Sequence, residues 1–84
     1  MTEKFPDIQN LQVALLRADI STGHVLDENF NLAINGNQKV FSVFDDIDCA
    51  IDFAKSIISN KKDIECNLYA QEMKFLRSIT YKDL

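Results

Sequence analysis

The chain has 84 residues, which is enough for one small domain and not for two. Its formal net charge is −4, from 9 Lys and Arg residues against 13 Asp and Glu residues. This balance argues against a nucleic-acid partner, because such partners are bound mainly by clustered cations that neutralise phosphates. We expect residues 1–84 to form one domain in which residues 1–9 are either disordered or an extended N-terminal segment.

The first predicted strand lies near the N-terminus. Leu11, Val13 and Leu15 alternate with their neighbours at the period of two that is typical of a β-strand. Residues 19–24 predict a turn, because Gly23 can adopt a positive φ at no steric cost.

A second stretch of β-structure is predicted after this turn. Residues 25–34 contain alternating apolar side chains and are interpreted as either one bent strand or two short ones. Asn35 and Gly36 form the strongest hairpin signal in the chain, since both tolerate a positive φ. Residues 40–44 then predict the strand that leads into a helix.

The helix is the clearest periodic signal. Asp45 is the predicted N-cap, with Asp46 and Asp48 in the first turn, and Asn60 is the predicted left-handed stop. The apolar residues recur at the spacing of a single helical stripe, and they are Ile47, Ala50, Ile51, Ala54, Ile57 and Ile58.

Two further strands are predicted after the helix. Ile64, Cys66 and Leu68 alternate with polar neighbours, a turn is expected near residues 70–73, and residues 74–80 form the last strand. The order is roughly β-β-β-α-β-β. This order predicts an α+β fold with a mainly antiparallel sheet of four to five strands and one amphipathic helix on one face.

One helix covers only one face of a sheet, yet several predicted strands carry apolar residues on both faces. Leu16, Phe44 and Leu76 are the residues that we assign to the second face. Either loops and terminal segments cover this face, or it is the interface of a homodimer or of a complex with a partner protein.

A second candidate surface is an acidic strip on the helix. Asp45, Asp48 and Asp52 fall within one narrow arc opposite the apolar stripe, and Phe53 lies on its flank. Such a strip beside an aromatic side chain is suited to a basic protein partner. The alternative is that the carboxylates serve only the cap and the helix dipole, and that Phe53 is the edge of the core.

The sequence contains little that indicates a catalytic or metal-binding site. His24 is the only histidine, and a general base formed with Asp19 or Asp27 is conceivable although no pattern selects it. Cys49 and Cys66 do not form a Cys-x-x-Cys motif, and a structural zinc site needs four ligands. We therefore expect no metal and no cofactor.

The small number of cysteines, the lack of a secretory signal and the shortness of every apolar run predict a cytoplasmic protein that does not bind or span a membrane. The first functional hypothesis is a non-enzymatic protein-binding module, such as an acidic inhibitor or immunity-type protein that masks a basic partner. The alternative is a self-associating structural homodimer. A third hypothesis is a small enzyme or ligand binder that uses His24.

Overall fold

The computed structural model describes residues 4–34 and 36–84. Within them the chain forms five strands, one α-helix and two short 3-10 turns. The strands are β1 (Val13–Asp19), β2 (Val25–Leu26), β3 (Phe41–Phe44), β4 (Ile64–Ala70) and β5 (Lys74–Ile79), the helix α1 is Ile47–Asn60, and the turns are Gln71–Met73 and Tyr81–Asp83.

Strand β1 is the centre of the sheet. Strand β4 lies along one side of it and β5 lies outside β4, while β2 and β3 follow one another along the other side of β1. Every pairing is antiparallel. Helix α1 therefore connects β3 to β4 across β1, and the predicted α+β fold with one helix and a mainly antiparallel sheet is confirmed.

Helix α1 covers one face of the sheet and forms the larger core. The apolar stripe predicted for the helix is buried at Ala50, Ala54, Ile57 and Ile58. These residues pack against side chains that alternate along the central strands, namely Val13, Leu15, Cys66 and Leu68, together with Leu26, Ile64 and Ile79.

The second face of the sheet is covered by the N-terminal segment and by the long loop before β3. Ile8 is buried, and Phe5 places its ring 5.2 Å from that of Phe41 and 6.2 Å from that of Tyr69, both edge-on. The smaller core on this face also contains Ala14, Val40, Leu16, Val25 and Ala33. Loops and a terminal segment thus cover much of the second face, which was one of the two alternatives.

Two of the three residues assigned to the second face were placed there wrongly. Leu16 does lie on it and packs with the smaller core. Phe44 instead pairs with Val13 and packs against the helix-side core. Leu76 has no pairing partner in β4, because the register between the two strands shifts there, and it lines the same depression as Val13 and Ile47, on the helix side.

The prediction for residues 25–34 needs a similar correction. Only Val25–Leu26 form a strand, and Leu32 contributes an isolated bridge to Leu26. The buried carboxylate of Asp27 organises the rest of this loop, since it accepts hydrogen bonds from the backbone N–H groups of Asn29 and Asn31. The predicted Asn35-Gly36 hairpin falls partly outside the described residues, because Asn35 is not among them.

Both predicted ends of the helix differ from the observed ones. The N-cap is Asp46 and not Asp45, and its carboxylate accepts a hydrogen bond of 2.8 Å from the backbone N–H of Cys49. At the other end Asn60 remains helical, and the cap is Lys61, whose φ of −138° is not left-handed. The helix therefore begins one residue later and has no left-handed stop.

The cap assignment gives a direct test on two adjacent aspartates. We expect Asp46→Ala to lower the melting temperature by about 5 °C, because the N-terminal N–H groups of the helix lose their acceptor. Asp45→Ala, the matched control, should leave it nearly unchanged. Thermal unfolding followed by circular dichroism measures both, and an equal loss in the two variants would contradict the assignment.

The hydrogen bond to Cys49 also lowers the pKa of the Asp46 carboxyl below its usual range. A carboxyl with a depressed pKa in the folded state stabilises the fold above its unfolded-state pKa. That contribution is lost as the pH falls through the depressed value. The difference between Asp46→Ala and the parent protein should therefore disappear in acid.

Candidate functional site

The predicted acidic strip and its aromatic neighbour both reach the surface of helix α1. Asp45, Asp48 and Asp52 are all exposed, and Asp45 accepts a weak hydrogen bond of 3.4 Å from the side chain of Gln12. Phe53 lies on the flank of the helix that faces β3, where its ring is 5.1 Å from that of Phe44. Phe53 is 40 % exposed, so part of its ring remains at the surface beside Asp52, and a docking surface formed by the strip and Phe53 stays a prediction.

An apolar groove lies beside the first turn of the helix. It is about 530 Å³ in volume and lies between the start of β1, the start of α1 and the turn that joins β4 to β5. Its apolar lining is contributed by Leu11, Val13, Ile47, Ala70 and Leu76, and its acidic lining by Asp46 and Glu72. We call it the acid-rimmed groove.

Two residues of the acid-rimmed groove have an unusual backbone. Leu11 has a φ of 73° and Glu72 a φ of 59°, both in the left-handed region that residues other than glycine seldom adopt. Each costs about 1–2 kcal/mol. Such conformations persist where the surrounding structure imposes them, and they cluster at functional sites. The left-handed backbone at position 11 places the Leu11 side chain, which is 77 % exposed, at the edge of the groove.

Neither cysteine has the environment of a reactive thiol. Cys49 is exposed in the first helical turn, but a hydrogen bond to the Asp46 carboxylate and the negative charge of that carboxylate raise its pKa. Cys66 is buried in the helix-side core, and this burial raises the pKa of its thiol to about 11. Both thiols are therefore held in the protonated, weakly nucleophilic form.

Among the described residues no hydrogen bond joins the His24 ring to a carboxylate, although Asp19 lies close enough for its charge to interact with His24. Both candidate partners are engaged elsewhere among the described residues. Asp19 accepts hydrogen bonds from Ser21, and Asp27 accepts one of 2.7 Å from the side chain of Gln38. The depression beside His24 is only about 190 Å³, and its other lining residues are the apolar Val25, Leu32, Ala33 and Ile34.

The groove residues come from three separate parts of the chain. Among them only Leu76 is predicted from the sequence as a candidate site residue, and that prediction assigns Leu76 to a different face.

Within residues 4–34 and 36–84 there is no cluster of three or more His, Cys, Asp or Glu side chains that would hold a metal ion. The one α-helix in these ranges is too short and too polar to cross a membrane. Comparison of the chain with protein-family models, curated proteins and solved structures found no match.

Proposed function

We propose that this protein is a non-enzymatic protein-binding module that docks a basic partner at the acid-rimmed groove. The observation that carries the proposal is the groove itself, in which aliphatic side chains lie next to exposed carboxylates. Interfaces are commonly built in this way, with an apolar centre that excludes water and a polar rim. An aliphatic or aromatic side chain of the partner would insert into the groove.

The charge of the surroundings defines the chemistry of the partner. Asp46 and Glu72 line the groove, Asp45 and Asp48 are exposed close to its helical end, and Lys74 is the one cation among the described residues of the lining. The whole chain carries a net charge of −4. A partner with lysines or arginines around its apolar anchor is therefore attracted over a long range and accelerated in its association.

The concrete form of this proposal is an inhibitor or immunity-type protein that masks a basic surface in the cytoplasm. Two unpaired cysteines are compatible with a reducing compartment. The homodimer is the second candidate, and the acid-rimmed groove is less suited to it, because two copies of an acidic surface repel each other. Light scattering over a wide concentration range distinguishes a homodimer from a monomer that awaits its partner.

The decisive variant is Leu11→Asn. Asparagine tolerates a left-handed backbone, so the fold is retained while the groove loses an apolar wall. Ile34→Asn is the matched control, because Ile34 is 72 % exposed, close to the 77 % of Leu11, and lies away from the groove. Both variants are titrated with short peptides in which one Leu or Phe is flanked by lysines, and binding is followed by two-dimensional amide NMR.

We expect saturable shifts at the groove residues of the parent protein and of Ile34→Asn, and at least about tenfold weaker binding to Leu11→Asn, which corresponds to about 1.4 kcal/mol. Binding should also weaken when salt is added, because exposed charges are screened beyond about 10 Å at 0.1 M salt. Equal affinity for peptides flanked by glutamates would overturn the basic partner, and unchanged binding to Leu11→Asn would overturn the groove.

A further inference from the structure

A second cavity, on the flank of the helix that faces β3, has a buried cation at its floor. The cavity is about 490 Å³ in volume, within the range of about 300–1,000 Å³ that is typical of small-ligand sites. Arg17, from the central strand β1, lines it and is only 2 % exposed. Lys61 and Glu28 are the other charged residues of the lining, and both are exposed at its mouth.

The guanidinium of Arg17 retains hydrogen-bonding capacity. It donates to the backbone carbonyl of Val40 at 3.1 Å and to the hydroxyl of Ser42. A guanidinium carries five N–H donors. Glu28 and the buried Asp27 lie close enough to attract it electrostatically, but among the described residues neither carboxylate is within ion-pair distance, since the only ion pair there joins Arg77 to Asp83. A buried cation normally requires a partner of opposite charge.

The walls of the cavity suit a planar apolar group. Phe53 and Ile57 contribute apolar surface from the helix, and Phe30 contributes its ring from the loop before β3. The ammonium of Lys61 lies 5.0 Å from the centre of the Phe30 ring, in a cation–π contact that holds both side chains at the mouth. Phe30 itself has a left-handed φ of 66°.

We propose that this cavity binds a small aromatic monocarboxylate, with the carboxylate on Arg17 and the ring against Phe53. Guanidinium groups recognise carboxylates through paired, charge-assisted hydrogen bonds. The described residues of the lining include two cations and one carboxylate, so a single negative charge on the ligand balances them. A phosphate dianion would exceed the surplus of one positive charge in this lining.

Benzoate is the probe, and benzamide is its neutral counterpart with the same shape. We expect benzoate to produce saturable shifts at Ser42, Phe53 and Asn60 and at the side-chain N–H of Arg17, with a Kd of about 1 mM. Benzamide should bind at least about tenfold more weakly, because it lacks the charge. Phenyl phosphate distinguishes a preference for phosphate from a preference for carboxylate.

Two tryptophan variants test the location of the site. Ser56 lines the cavity and Ser59 does not, yet both are exposed on the helix and donate a hydrogen bond to the carbonyl three residues earlier. Ser56→Trp should therefore obstruct the cavity and weaken benzoate binding at least about tenfold, while Ser59→Trp should leave it unchanged. Neither variant alters Arg17.

Three results would overturn the proposal. They are the absence of benzoate shifts at about 20 mM, equal affinity for benzamide, and equal affinity of the two tryptophan variants. Tighter binding of phenyl phosphate would overturn the assignment to carboxylates. Because the comparison of benzoate with benzamide uses the parent protein, the result does not depend on how well a variant folds.

Discussion

Replacement of Arg17 by alanine is expected to lower the free energy of unfolding by about 3–5 kcal/mol. Its side chain is one of the largest that are fully buried, and it joins β1 to the residues before and within β3 through Val40 and Ser42. Alanine removes both hydrogen bonds and enlarges the cavity. Urea unfolding followed by circular dichroism measures the loss.

Arg17→Met separates the two causes of this destabilisation. Methionine retains much of the aliphatic volume of the arginine and removes the polar contacts. We expect it to lose about 1–3 kcal/mol, less than alanine does. A loss below about 1 kcal/mol for Arg17→Ala would show that Arg17 does not anchor β3, and this would also weaken the argument for a preorganised floor in the cavity.

Replacement of Ile8 by alanine is the other change with a large expected effect, about 2–4 kcal/mol. Ile8 is buried against the second face of the sheet, although it belongs to a segment without helix or strand. The backbone carbonyl of Ile8 accepts a hydrogen bond of 3.1 Å from the side chain of Gln71, which the substitution leaves in place. The decrease in the free energy of unfolding therefore measures the packing of the Ile8 side chain.

Asp7→Ala is the matched control for Ile8→Ala. Asp7 is exposed and adjacent, so its removal should change the free energy of unfolding by no more than about 0.5 kcal/mol. Loosening this segment should also uncover apolar side chains on the second face, and light scattering should then detect association at high concentration. Equal stabilities of the two variants would show that residues 4–9 do not hold the face closed.

The ends of the helix show where local patterns stop being informative. The apolar stripe identified the helix correctly, because its period is a property of consecutive residues. Asp45 and Asp46 are both chemically suitable N-caps. Asp46 is the cap because its carboxylate reaches the N–H of Cys49, and that geometry follows from where the chain leaves β3.

The two misplaced residues on the sheet show the same limit. Residues 40–44 carry apolar side chains on both sides, so alternation alone did not decide which side faces the helix. The pairing of Phe44 with Val13 decides it, and this is a contact between distant parts of the chain. Leu76 was misplaced because the shift of register between β4 and β5 changes the alternation.

The two candidate sites were harder to predict from the sequence than the fold was. Arg17 could have been noticed as the only charged residue in the otherwise apolar stretch of residues 13–18. The acid-rimmed groove has no comparable signal, since Leu11, Ile47 and Glu72 come from segments that meet only in the folded chain.

By itself the sequence determined the class of fold, the buried stripe of the helix and the acidic balance of the surface, since these depend on composition and on short-range periodicity. Only the tertiary structure decided what covers the second face, where Phe53 lies and which residues form the groove. Those outcomes depend on strand register and on loop paths. Both are set by contacts between residues that are far apart in the chain.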